Sequence, residues 1–126
     1  MSEKAVIVST LKNDATIQNL IGNRIYSIWP ASWQGLPLAI FFEITTLHVG
    51  NLDHTEGRWQ VSFFGDPHST AVDVLTERAR ALFHKKTFTT DDKNYGCWVD
   101  AIREISEESD TRHRLLELRF LRLTPL

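Results

Sequence analysis

Apolar residues at Val8, Leu11, Ala15, Ile17, Leu20 and Ile21 recur every three or four positions, the spacing that lines one face of a helix. Asn13 and Asp14 interrupt the series. Both side chains compete for nearby backbone hydrogen bonds, so the pair either ends a first helix and caps a second or bends a single one, and a break is expected. Gly22 and Asn23 then supply two residue types that tolerate left-handed backbone, and Arg24-Ile25-Tyr26 resumes in an extended pattern. Leu20 to Tyr26 therefore reads as a helix-to-strand corner. A short strand over Arg24 to Ile28 follows, then a loop over Trp29 to Gly35 punctuated by Pro30 and Gly35.

Pro37 to Thr45 is almost continuously apolar and rich in strand formers, which predicts a strand covered on both faces and central in a sheet. Pro37 is tolerable at the first strand position, where a missing N–H breaks no ladder. Leu47 to Gly57 is too polar for core and too long for a tight hairpin, so a mobile loop is expected there. Arg58 to Gly65 alternates, with Trp59, Val61 and Phe63 on one face and Arg58, Gln60 and Ser62 on the other. Asp66-Pro67 predicts a helix opening, with Asp66 as cap and Pro67 in the first turn. That helix is expected to lay Val74, Leu75, Ala79 and Leu82 on the sheet. Tyr95 to Ile105 and Arg112 to Leu123 read as a long hairpin turning at Glu107 to Asp110. The order α-β-β-β-α-β-β gives an α+β fold, a mainly antiparallel sheet of about five strands with helices packed on one face.

The 126 residues fit a single domain spanning 1–126, long enough to bury a core without disulfides or metal. A net charge of -2 supplies no field that would gather nucleic acid or anionic lipid. Cys97 is the sole cysteine, so no intrachain disulfide forms and a reducing compartment suits the chain. Met1 to Val8 lacks the marks of a signal peptide, and no uncharged stretch approaches ~20 residues, so neither secretion by that route nor membrane spanning is expected.

Candidate chemistry is thin. The closest polar cluster, His48, Asp53 and His54, matches no zinc spacing, and it sits beside Gly50 and Asn51 as in a solvated loop. Cys97 lies inside an expected strand, where a lone cysteine behaves as a small hydrophobe. The glycines are scattered at element boundaries and form no phosphate loop. Glu104, Glu107, Glu108 and Asp110 gather near a turn, with Arg112, Arg114, Arg119 and Arg122 close by; pairing within the chain is the expectation, pairing between copies the alternative. Two features suggest contact with other proteins. One is the polar segment with His48, Asn51, Asp53, His54 and Glu56, a candidate interaction loop. The other is the pair Trp29 and Trp33, which either marks an interface or plugs the end of the sheet.

Leu11 to Tyr26, the Pro37 to Phe42 run, and the Trp59-Gln60-Val61-Ser62-Phe63 strand followed by the Thr70 to Phe83 helix together resemble the small tail-completion proteins of long-tailed bacteriophages, the tail terminator family. The resemblance covers roughly the first 85 residues, and the C-terminal hairpin agrees in kind. It implies a structural virion protein that forms a ring, usually a hexamer, on the end of the tail tube, stops tube growth and offers a surface to the head connector protein. It also implies no enzyme activity and no cofactor, assembly in the host cytoplasm, and a neck channel through which genomic DNA passes without sequence-specific binding. A head-completion or connector protein of the same neck is the near alternative. A small ligand-binding or enzymatic domain using His48, Asp53, His54 and Cys97 is the distant one.

Overall fold

Asp14 divides the N-terminal helical stretch into α1 (Glu3–Asn13) and α2 (Ala15–Ile21). It caps the second helix, its Oδ2 accepting the Ile17 amide at 3.2 Å. The computed structural model describes residues 3–27, 35–48, 55–90, 93–105 and 111–123. At the expected corner Gly22 takes φ +56° and its amide closes onto Gln18 O at 2.8 Å. Arg24 clamps the turn, donating from Nε to Pro37 O at 2.9 Å and from Nη2 to Leu20 O at 3.1 Å. One side chain thus joins the end of α2 to the start of the strand that follows the loop.

The remaining elements are β1 (Ile25–Tyr26), β2 (Leu38–His48), β3 (Thr55–Gly65), α3 (Ala71–Phe83), β4 (Lys86–Thr90), β5 (Lys93–Ile105) and β6 (Arg112–Leu123). They make an α+β fold with a six-stranded sheet of order β1-β2-β3-β6-β5-β4. The sheet is mixed, because β1 runs parallel to β2 while every other pairing is antiparallel. Bulges interrupt β2 at Glu43/Thr45 and β5 at Val99/Ala101.

All three helices share one core with one face of the sheet. Val6, Ile7, Leu11, Ile17 and Ile21 from α1 and α2 meet Phe41, Trp59, Val61, Phe63, Leu116, Leu118 and Phe120, with Val72, Leu75, Ala79 and Phe83 of α3 in the same cluster. Trp59 also reaches the start of the chain, its Nε1 donating to Glu3 Oε2 at 2.7 Å.

The expected elements hold, with corrections. The Pro37 strand, β2, is not central but next to the sheet's edge, and it is not covered on both faces, since Phe42 and Ile44 are exposed; an apolar run alone does not say how many neighbours a strand has. Among the described residues the sheet has six strands rather than about five, because Lys86-Thr87-Phe88-Thr89-Thr90 forms one as well; only Phe88 there is apolar, too little for an alternating pattern to announce it. Among the described residues the short first strand covers Ile25–Tyr26, and Ile28 of the expected span lies outside them. The loop expected over Leu47 to Gly57 is shorter at both ends, for Leu47 pairs with Glu56 and His48 with Thr55. Backbone ladders extend past the core, so polar residues continue a strand there.

Asp66 does not cap α3. Ser69 N closes a turn onto Asp66 O at 2.9 Å and Ser69 Oγ accepts the Ala71 amide, so the helix starts a turn later than Asp66-Pro67 suggests. Its buried face is Val72, Leu75, Thr76, Ala79 and Phe83, and Val74 is 45% exposed. The buried row Val72, Leu75, Ala79 and Phe83 sets the phase, which leaves Asp73 toward arginines at the sheet's end and Val74 on the outside.

Candidate functional site

The sheet face turned away from the helices divides into two halves. Near the start of β2, Leu38, Ile40 and Phe64 are buried with Tyr26 and Leu36 against them, and the His113 ring stacks on Phe64 with centroids 4.1 Å apart. Farther along, the rows turn polar. Gln60 stands opposite Glu117, and Arg58 opposite Arg119.

Arg119 lies over the Trp98 ring at 5.3 Å from its centroid, and its Nε is 3.2 Å from Asp100 Oδ2. That pair is close enough for charge attraction but lacks the alignment of a hydrogen bond. Arg103 Nη2 approaches Glu117 Oε1 at 3.5 Å. Three arginines, Arg58, Arg103 and Arg119, therefore stand among two carboxylates, and the charge of this half-face is nearly balanced. Beside it Phe42 and Ile44 are 43% and 46% exposed. Stacking, ion pairing and apolar contact are together the means by which one protein surface holds another.

On the helical side, Asp14 ties α2 to α3. Arg78 donates from Nε to Asp14 Oδ1 at 2.9 Å, and this contact, more than the capped amides, holds the carboxyl below its usual range. A shallow groove of about 440 Å³ runs beside this pair, lined by Thr16, Asp73, Val74, Glu77, Arg78 and Ala81. In the first turn of α3, Asp73 is gripped by both Nη atoms of Arg112, whose Nε donates to Glu104, while Arg114 adds a 3.0 Å contact to Asp73. Arg112 is the chief cause of the lowered Asp73 pKa. Arg112 pairs with Glu104 across the hairpin strands, as their spacing suggested, whereas Asp73, which Arg112 and Arg114 both reach, comes from α3 and not from the acidic turn. Glu3 goes the other way: burial raises its pKa, against the lowering pull of the Trp59 hydrogen bond, and neighbouring Glu43 adds to the rise.

Of the sequence-predicted site residues, His48 ends β2 and Glu56 lies in β3, within one residue pair of each other across the ladder. Asn51, Asp53, His54, Trp29 and Trp33 fall outside the described residues. Cys97 is fully buried, and desolvation is the main reason its thiol is pushed up to about 12. Among the described residues no cluster of three or more His, Cys, Asp or Glu side chains is placed to hold a metal ion, and no helix is long and apolar enough to cross a membrane. The open-face group Trp98, Asp100 and Arg119 was missed, because a bulge at Asp100 shifts the alternation that would have revealed it.

Helices gathered on one face of a long-stranded sheet, with a polar and aromatic opposite face, define an α+β domain. Among solved structures, the chain is similar to one in a structure described as the virion of a native gene transfer agent (GTA) particle. The TM-score is 0.81 over 96% of this chain and 94% of that chain, at 14% sequence identity, so the likeness is one of fold. No known family's profile matches the chain, and no curated protein matches it.

Proposed function

We propose that the chain is a structural virion protein, a tail terminator that forms a homo-oligomeric ring on the end of a phage or phage-like tail tube. The ring stops tube growth and offers a surface to the head connector protein. The observation that carries this reading is the end-to-end fold likeness to a chain of a gene transfer agent virion. The sequence resemblance to tail-completion proteins supports it independently.

In this reading the protein has a binding role and no catalytic one. A half-face of nearly balanced charge suits a neck through which DNA must slide, since many phosphate contacts would hold it. The segment linking β2 to β3, flanked by His48 and Glu56 and including Asn51, Asp53 and His54, contacts the tube or a neighbouring subunit. Trp29 and Trp33 are interface aromatics.

The test is removal of the protein from assembling particles. Tails of uncontrolled length that fail to join heads are expected, and tails of normal length would overturn the proposal. Capture of purified chain by tail-tube protein rather than portal protein separates a terminator from a connector.

A further inference from the structure

The sheet ends in two unequal edges. On one, β1 pairs only with Ala39 and Ile40, so no described residue pairs with the outer edge of β2 from Phe41 to His48. On the other, β4 covers β5 from Lys93 to Cys97, and His84 Nδ1 accepts the Val99 amide at 3.1 Å. Beyond that contact, from Asp100 to Ile105, no described strand lies outside β5.

The two short strands stand at opposite ends of the sheet. Ile40, beside Tyr26 of β1, shares a row with Ser62, Leu115 and Arg103. Lys86, the first residue of β4, shares a row with Cys97, Phe120, Gly57 and Thr46. One edge therefore projects where the other is recessed, as in a lap joint. Four antiparallel steps separate β2 from β4, so the two run in the same direction.

The chemistry of the edges is complementary as well. Exposed Phe42 and Ile44 flank exposed Glu43 on β2, whereas exposed Lys85 and Lys86 lead into β4. Glu43 is in register with Trp59 and Lys86 with Cys97, which places both on the helical side of the sheet. A long apolar edge left uncovered is an aggregation hazard, and matched but different edges on one chain give a head-to-tail contact that closes into a ring when the rotation permits.

We propose that neighbouring copies of this chain join edge to edge: β2 of one copy lies parallel to β4 of the next, β1 fills the recess outside β5, and Glu43 faces the Lys85-Lys86 turn. The inference deepens the ring reading and rests on it for closure of the assembly.

The experiment mixes full-length Glu43→Cys and Lys86→Cys chains, in concentrated solution and on tail tubes, with a short bismaleimide. Buried Cys97 leaves the added thiols as the reacting groups. A link between the two different chains, absent when either is treated alone, is expected. In a second arm, Glu43→Lys loses assembly, and Glu43→Lys combined with Lys86→Glu regains it.

Rings on tails without the mixed link overturn edge pairing and leave the terminator reading standing. A link between two Glu43→Cys chains overturns it in favour of a symmetric contact, and a chain that stays monomeric in solution and on tubes overturns it outright. The mixed link in a protein whose removal leaves tails normal supports edge pairing and overturns the terminator reading alone.

Discussion

Arg112 grips Asp73 with two parallel contacts, Nη1 to Oδ2 at 2.6 Å and Nη2 to Oδ1 at 2.8 Å, fastening the first residue of β6 to the first turn of α3. The same guanidinium donates from Nη1 to Ser69 O at 3.0 Å, so the turn before the helix is held too. Forked arginine–carboxylate pairs fix orientation as well as distance. Asp73→Ala is expected to lower stability by about 1 kcal/mol, kept small by its partial exposure to solvent. A urea midpoint that falls at unchanged slope checks it.

The acid limb of stability follows from Asp14 and Asp73, both held below the ordinary value of 3.8 by arginine partners. A lowered carboxyl contributes stability that is complete above its unfolded pKa and is lost as pH falls through the folded one. Stability is therefore expected to drop below about pH 4, and Asp73→Asn to flatten the drop, as read by denaturation at stepped pH. Asp14→Asn does the same while keeping a capable helix cap.

Glu3 acts with the opposite sign. Its folded pKa lies above the ordinary 4.5, so its contribution is present below that value and is lost as pH rises. The stability difference between Glu3→Gln and the unaltered chain is expected to shift in favour of the variant from acid pH toward neutrality. A difference independent of pH would contradict this account.

Two glycines differ in what replaces their missing side chain. A Cβ on Gly65 would lie 2.5 Å from Val72 Cγ2, inside the packed seam between β3 and α3. Gly65→Ala is expected to cost about 1–3 kcal/mol, the usual range for overpacking. A Cβ on Gly57 would strike the Glu3 carboxylate, the free end of a flexible chain. Gly57→Ala should displace Glu3 from Trp59 and cost about 1 kcal/mol, the worth of one hydrogen bond. Thermal or chemical unfolding of the two variants side by side tests the ranking.

Cys97 combines complete burial with a thiol raised to about 12. Thiol reagents at mildly alkaline pH are expected to leave the folded protein unmodified and to label it once denaturant exposes the strand. Labelling of the native chain at the rate of a free thiol would contradict the placement.

Much of this architecture was legible in the sequence because it follows from local rules. Asp14 announced a helix break, and the period-two runs around Val61 and Leu118 announced strands with one face in the core. What escaped depends on distant partners. Nothing local says that β3 sits beside β6, or that a five-residue stretch with a single phenylalanine completes the sheet beside β5. Val74 stands beside the row Val72, Leu75, Ala79 and Phe83 that the sheet buries, and which of two adjacent apolar rows is buried is decided only when the helix docks. Among the candidate contact residues, His48 and Glu56 look like loop in the sequence because polarity hides a ladder that backbone groups alone maintain.

The bulges at Ile44 and Asp100 change the phase of their strands. Up to Glu43 the odd-numbered residues of β2 are in register with the odd-numbered residues of β3; after it Thr46 is in register with Gly57, and in β5 the core-facing parity passes from Cys97 and Val99 to Ile102. Removing Ile44 or Asp100 would leave all remaining residues of its strand opposite their present partners, whereas removing a residue far from the bulge would turn the stretch between that point and the bulge inside out. These are the two points where the long strands can lose a residue while each side chain keeps its address, and related chains can differ there in length yet share one sheet.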